Sequence, residues 1–295
     1  MRLMAIGVTL LAVVVAIGIV LAVGRARWEA RTRQLLARLH AGRVAPRPAV
    51  FDVRELDGLP QPVQRYFRAV LTPGQPMVTS VHIEHTGSMD MGEQAPQWKP
   101  FTSRQDIVTR RPGFLWDARI GIAPGVPALV HDAYVGGEGS LHAAVFGLVP
   151  VMDLHDTPGI DEGELLRWFA EASWYPTALL PSQGVAWSAV DDSSARATMQ
   201  DGGTKVSLLF RFDDEGLIRG MRAEARGRRV DGANQPTPWE GRWWDYVTQD
   251  GLRVPMAGEV SWILPAGPKP YWRGRITRMS FEHDPEAGGG RHAPS

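Results

Sequence analysis

Acidic and basic side chains alternate with apolar ones along several segments of this 295-residue chain, and their types suit acid–base chemistry. Two neighbouring carboxyl groups can act as general acid and general base in a hydrolase. The same residues could instead form an internal polar network that orients a ligand head group, or cross-strand ion pairs on a solvated sheet face. The predicted polar cluster consists of Asp117, Arg119, Glu240, Arg242, Glu259 and Arg273.

Large aromatic side chains are a second candidate for function, because the chain contains eleven tryptophans. Such rings line either an apolar cavity or a solid core. If a helical segment packs into the concavity of a sheet, the rings on both elements meet there. The predicted ligand-binding residues are Trp116, Trp168, Trp174, Tyr175, Trp187, Trp262 and Trp272.

The remaining residue types argue against metal, cofactor and nucleic-acid chemistry. The absence of cysteine excludes a thiol nucleophile and cysteine-ligated metal centres. His82 and Glu84 share one face of a predicted strand and His85 lies on the other, so we predict no metal site. The glycine-rich run 136–147 lacks the third glycine of a dinucleotide-binding loop. Since the net charge is also zero, we predict neither a cofactor nor nucleic-acid binding.

The elements that must position these side chains are mainly strands. From residue 78 to residue 283, β-branched and aromatic residues alternate with polar ones, and Asp–Gly and Pro–Gly turns separate the segments. One helical segment, 157–182, interrupts them. A sheet of about ten strands must curl, and helices then cover its concave face. We therefore predict a mainly β fold: a single large curved antiparallel sheet or incomplete barrel with a helical insertion, preceded by an N-terminal transmembrane helix.

The N-terminal run Leu3–Val23 carries no charge and is long enough, at about 1.5 Å per residue, to cross a bilayer. A cleaved signal peptide is the alternative, but its apolar region is shorter, about 7–15 residues. The arginines of 25–43 place the following domain in the cytoplasm by the positive-inside rule. Exported lipid-handling proteins with such anchors have the opposite orientation, so the membrane side stays open.

These patterns divide the chain into five parts. We predict a transmembrane anchor (1–24), a juxtamembrane basic helix (25–43), a linker (44–58), the antiparallel β domain (59–284) and a disordered tail (285–295). The basic helix is interpreted either as a solvated stalk or as a segment that binds anionic lipid head groups.

Several stretches together resemble a bacterial family of unknown function whose members have one N-terminal span. These stretches are LPQPVQRYFRAVL, GFLWDARI, DAYVGGEGSL, FAEASWYPTALLPSQGVAW, PWEGR and GEVSWILP…PYWRGRI. The resemblance extends from Leu59 to Phe281 and transfers no residue role. At the level of the fold, the pattern resembles the incomplete β-barrels of the lipoprotein-carrier class, which wrap around helices and an apolar cavity.

The sequence therefore favours a membrane-anchored binding module for a lipid or another apolar molecule, located in a bacterial inner membrane with a single span. Its predicted partners are the bilayer and this ligand. A hydrolase that uses Asp and Glu is one alternative, and a structural or partner-binding membrane protein with a filled core is another. Buried, convergent carboxylates without basic partners would favour the hydrolase.

Overall fold

The residues between 78 and 283 form strands because apolar side chains alternate with polar ones, which buries one sheet face and exposes the other. The computed structural model describes residues 2–92, 95–230 and 232–284, so the predicted tail 285–295 lies outside the described residues. The strands are β1 Val78–Asp90, β2 Trp98–Val108, β3 Gly113–Ala123, β4 Val126–Val135, β5 Glu138–Val145, β6 Val149–Leu154, β7 Ala186–Asp191, β8 Ser194–Asp201, β9 Thr204–Phe212, β10 Ile218–Val230, β11 Ala233–Gln249, β12 Leu252–Leu264 and β13 Gly267–His283. All of them belong to one antiparallel sheet, which confirms the predicted fold class.

The sheet is open, and its strand order is β6-β5-β4-β3-β2-β1-β13-β12-β11-β10-β9-β8-β7. Helix α3, Ile160–Glu171, contacts β4 and β5 near one edge and β9 and β10 near the other. Since eight strands separate β5 from β9, the sheet must curl around α3. Three short 3₁₀ helices complete the helical insertion on the same inner face: Ala172–Trp174, Pro176–Leu179 and Pro181–Gln183.

The segment 44–58, the predicted linker, lies against this domain. Phe51 and Leu56 are buried in the main core, because the chain folds there into a 3₁₀ helix, Val53–Leu56. Helix α2, Gln61–Val70, follows and packs against β8 and β12 with an apolar side at helical spacing.

Helix α1, Arg2–Ala41, runs without interruption through the predicted anchor and the predicted basic helix. Within the described residues it is the one helix long and apolar enough to cross a membrane, and residues 4–23 are exposed. Trp28 and Leu39 are instead buried against β2, β3 and β4, and Gly24 is buried against the turn between β5 and β6. The second half of α1 is therefore docked on the outer face of the sheet.

Candidate functional site

Helix α3 places charged side chains inside the curled sheet. It is buried on nearly every side, with Leu165, Trp168 and Phe169 packed in the core. Between these apolar residues, Arg167 also points inward and its side chain is only 14% exposed. A guanidinium in such surroundings needs carboxylate partners, because an unpaired buried charge is costly.

The partners form what we call the Arg167 network: Gln105, Asp132, Glu164, Arg167, Glu171 and Arg226. Arg167 donates from Nη1 to Asp132 Oδ2 at 2.5 Å and from Nε to Glu171 Oε1 at 2.8 Å. Gln105 on β2 donates to the second oxygen of Glu171 at 2.6 Å. The network therefore ties α3 to β2 and β4 on one arm of the sheet.

Arg226 extends the same network to the other arm. From β10 it donates to the Gly163 carbonyl at 3.1 Å and to Glu164 Oε1 at 3.4 Å. Its guanidinium carbon lies 4.5 Å from the ring centre of Trp239, a cation–π distance. The two arginines thus hold α3 from both sides.

Glu164 and Asp132 form a close pair of buried carboxyl groups. Burial, followed by the charge and hydrogen bond of Asp132, raises the pKa of Glu164 well above its usual range, although Arg226 and Arg167 oppose this shift. The raised pKa favours the protonated, neutral form of Glu164. The network then contains two cations and two anions, which is the balance that a buried site requires.

Replacing Glu164 by glutamine should remove a pH dependence of stability. As the pH rises above the usual glutamate pKa of about 4.3, the unfolded chain loses this proton while the folded chain keeps it, so folding becomes less favourable. Glutamine has no proton to lose. In denaturant titrations we therefore expect the unfolding free energy of the unmodified chain, minus that of Glu164→Gln, to fall as the pH rises above about 5.

Glu162→Gln is the matched control, because Glu162 is exposed on the same helix. Its difference from the unmodified chain should not vary with pH in this way. A pH-independent difference for Glu164→Gln as well would contradict a protonated Glu164.

Aromatic rings form a continuous row beside this network, five from the inner face of the sheet and one from the 3₁₀ helix Ala172–Trp174. The aromatic row consists, in order of contact, of Trp116, Phe101, Trp272, His85, Trp174 and Trp243. Neighbouring rings in the row are 5.1–6.1 Å apart between centroids, the range of favourable aromatic pairs. The row begins at the Arg167 network, since the Arg167 guanidinium carbon lies 5.1 Å from the Trp116 ring centre.

Strand glycines allow these rings to lie flat on the sheet. A Cβ atom at Gly258 would come within 2.3 Å of the Trp243 ring, and one at Gly274 within 2.3 Å of the Trp272 ring. Real side chains do not approach so closely, so both positions require glycine.

Several buried polar atoms along this inner surface have no hydrogen-bond partner among the described residues. They include the indole nitrogens of Trp116, Trp174 and Trp243, and His85 Nε2. Burial, followed by the charge of Arg167, lowers the pKa of His85 to about 3, so its ring is neutral. A buried donor without an acceptor costs about 1–3 kcal/mol. The three indole N–H groups are donors suited to ligand oxygens, and His85 Nε2 is a donor or an acceptor according to its tautomer.

The structure distributes the predicted aromatic residues between two environments. Trp116, Trp174 and Trp272 belong to the aromatic row. The other four fix neighbouring elements: Trp168 donates to the Val108 carbonyl and contacts Tyr175, Trp187 donates to the Leu179 carbonyl, and Trp262 stacks on Tyr271. The described part of the chain has two surface grooves, one lined by residues that include Pro48 and Ser182 and the other by residues that include Leu166 and Val206. None of the seven predicted aromatic residues lines either groove.

The six residues of the predicted polar cluster do not converge. Glu259 and Arg273 pair across β12 and β13 at 2.6 Å, and Glu240 pairs with Arg211 and Arg222. These ion pairs involve half-buried or exposed side chains. Arg119 and Arg242 are exposed, and Asp117 faces helix α1.

Asp117 takes part in the docking of α1. It accepts hydrogen bonds from the Trp28 indole at 3.1 Å and from the Thr32 hydroxyl at 3.3 Å. The Trp28 ring also stacks on His131 at a centroid distance of 3.9 Å. Burial raises the pKa of Asp117 and lowers that of His131 to about 3. Further along the same face of α1, Leu39 completes the docking by packing into a small apolar cluster on the outer face of the sheet.

Replacing Trp28 by alanine should release the second half of α1 from the sheet. The change removes the stack on His131 and the hydrogen bond to Asp117 at once. We expect faster tryptic cleavage within 25–43 in the full chain, measured by mass spectrometry of the N-terminal fragments. Gln34→Ala, on the exposed side of the same helix, should leave the rate unchanged. An unchanged rate for Trp28→Ala would contradict the docking.

Sequence reasoning missed the Arg167 network and Trp28. Nothing in the sequence separates Arg167 from other helical arginines except the apolar residues on both sides of it. For Trp28 a signal existed, since Gly24, Trp28 and Leu35 follow each other at helical spacing.

The fold and the site define a class of protein: an open antiparallel half-barrel that surrounds a helical insertion and follows a long apolar N-terminal helix. The chain belongs to the family of unknown function DUF6920, whose model matches residues 57–281. This confirms the resemblance predicted from the sequence. No curated protein matches the sequence.

Two solved structures are similar in part. A LolA superfamily protein from Nitrosomonas europaea is 8% identical, with a TM-score of 0.41 over 76% of this chain and 94% of that chain. A DUF1329 family protein from Desulfovibrio piger is 9% identical, with a TM-score of 0.37 over 70% of this chain and 86% of that chain.

Proposed function

We propose that this protein is a membrane-anchored binding module for a lipid or a similar amphipathic molecule. The ligand lies between the helical insertion and the inner face of the sheet, along the aromatic row. The observation that carries the proposal is the set of buried, unpartnered nitrogens of His85, Trp116, Trp174 and Trp243 within an otherwise apolar surface. Apolar rings suit acyl chains, and donor nitrogens suit the ester or head-group oxygens of the same molecule.

Membrane anchoring is the second part of the proposal. Residues 4–23 of α1 are exposed and apolar, and the helix continues directly into the segment docked on the sheet. We assign this helix to the inner membrane of a bacterium, with a single span. A domain held at the bilayer surface has direct access to the lipids it would bind.

Ligand entry requires the helical insertion to move, because α3 and the 3₁₀ helices cover the strand residues of the aromatic row and Trp174 of the row belongs to the insertion itself. The Arg167 network holds α3 to both arms of the sheet, and Asn234 in the β10–β11 hairpin donates to the Pro158 carbonyl at 2.9 Å just before the helix. These contacts make the insertion a lid that is fastened by polar groups rather than by apolar packing alone.

The hydrolase alternative has weaker support. Asp132, Glu164 and Glu171 converge and are buried, but arginines pair with each of them. Asp132 and Glu171, which Arg167 neutralises, are poor proton acceptors, and Glu164 is then a single carboxyl group without a second one for paired acid–base chemistry. No second function is therefore proposed.

Mass spectrometry of lipids extracted from the purified full chain tests the proposal, together with titration of a fluorescent fatty acid. Trp243→Phe keeps the ring and removes the unpartnered N–H. We expect it to weaken fatty-acid binding roughly 5–100-fold, the equivalent of one hydrogen bond of about 1–3 kcal/mol. Trp244→Phe is the control, because Trp244 is the next residue on β11 and faces outward.

Each alternative result has a defined meaning. Equal affinities for Trp243→Phe and the unmodified chain would place the ligand away from the aromatic row. Absence of both co-purifying lipid and fatty-acid binding would refute the binding function and favour a structural membrane protein with a filled core.

A further inference from the structure

The turn between β5 and β6 touches α1 where its apolar run ends. Gly24 is the last uncharged residue before Arg25, and a Cβ atom at Gly24 would lie 2.5 Å from Leu148 Cγ and 2.8 Å from the Phe146 carbonyl oxygen. Only glycine permits this crossing. If residues 4–23 span the bilayer, the turn is fixed at the boundary of its hydrocarbon layer.

Strand β6 starts at this turn and exposes apolar side chains. Val149 is 61% exposed, Val151 60% and Met152 41%, and β6 is an edge strand that pairs only with β5. An apolar edge of this kind promotes aggregation in water unless something covers it. Solvent is therefore an unfavourable environment for this part of the domain.

We propose that Phe146–Met152 inserts into the interfacial layer of the same bilayer that α1 crosses. The inference rests on the membrane anchoring of the proposed function. The bilayer is the occupant because the patch continues directly from the spanning helix at Gly24. Exposed Arg25 and Arg27 lie at the same level and suit anionic lipid head groups. The domain then has two membrane contacts, which fix its orientation with β6 toward the lipid.

Site-specific labelling of the full chain tests this contact, and the absence of native cysteine makes single-cysteine variants straightforward. Val151→Cys reports on the proposed contact. Val14→Cys reports on the span, and Val190→Cys on β7 reports on the opposite edge of the sheet, where the side chain is 51% exposed. All three side chains are exposed, so the substitutions should not disturb packing.

Each variant carries an environment-sensitive fluorophore and is reconstituted into vesicles of phosphatidylethanolamine and phosphatidylglycerol. We expect labels at positions 14 and 151 to emit at shorter wavelength and to be quenched by spin-labelled lipid. The label at position 190 should be quenched only by a water-soluble quencher.

The outcomes separate this inference from the anchor on which it rests. Lipid quenching at position 14 but not at position 151 overturns the second contact and leaves the anchor intact. Lipid quenching at positions 151 and 190 alike also overturns it, because the orientation would not be specific. A label at position 14 that remains in water refutes the anchor and the contact together.

Discussion

Replacing Arg167 by methionine should destabilise the domain by about 3–5 kcal/mol, the usual cost of removing one partner from a buried ion pair. Methionine retains most of the apolar stem but leaves Asp132 and Glu171 without their shared cation. The side chains of Asp132 and Glu171 are only 14% and 10% exposed, so water replaces the lost partner poorly. For a domain of this size, the loss corresponds to a fall in Tm of roughly 6–20 °C, measurable by thermal unfolding of the full chain in detergent.

Arg219→Met is the matched control, because Arg219 pairs with Asp213 at 2.6 Å but is 51% exposed. Exposed pairs contribute less than about 1 kcal/mol. Adding Asp132→Asn to Arg167→Met should recover part of the stability, since the second change removes one of the orphaned charges. A loss from Arg167→Met no larger than that of the control would contradict the buried network.

The curved sheet was predictable from the sequence because strand alternation is local information. Two strands escaped prediction: β5, which lies within the glycine-rich run 136–147, and β6, which follows it. Gly136 and Gly137 adopt positive φ angles before β5, and Phe146 and Gly147 do so after it. Because the two tight turns lie so close together, the eight-residue strand between them is hard to recognise in the sequence.

The docking of α1 was harder to predict, because its contact face is not made of large apolar residues alone. Gly24 and Thr32 contribute a close approach and a hydrogen bond rather than apolar area. The arginines on the other sides of the helix dominate the composition and suggest a solvated stalk. The partner residues, Asp117 and His131, lie far away in sequence and no local pattern links them to α1.

The candidate site was even harder to predict from the sequence than the docking of α1. Alternation correctly placed Asp117 opposite Trp116, but it could not reveal that the interior polar groups come from α3. Whether an arginine such as Arg167 faces solvent or a carboxylate depends on how the sheet closes around the helix. That closure is set by contacts between elements more than 60 residues apart, such as Gln105 with Glu171.

These interior contacts are compatible with the proposed lid and the proposed binding surface. The Arg167 network and Trp168 hold the insertion in place, whereas the aromatic row presents nitrogens that the protein leaves unpartnered. If these roles are separate, substitutions in the first group should change stability, and substitutions in the second should change binding.

Trp168→Ala should therefore destabilise the domain by about 3–5 kcal/mol with no selective effect on ligand binding. Trp168 is 1% exposed, its indole N–H donates to the Val108 carbonyl at 3.1 Å, and its ring contacts Tyr175. Truncation creates a cavity between α3 and β2 and also leaves a buried carbonyl without its donor.

Trp168→Phe helps to separate these two contributions, because it loses the hydrogen bond but leaves a much smaller cavity than alanine does. We expect it to cost about 1–3 kcal/mol, less than alanine. Denaturant unfolding gives the stabilities, and fatty-acid titration below the unfolding transition gives the affinities. If Trp168 instead formed a loosely packed wall of the ligand site, Trp168→Ala would lower affinity while leaving stability almost unchanged. That result would move the binding surface from the aromatic row to α3 itself, and the insertion would then be part of the receptor rather than its lid.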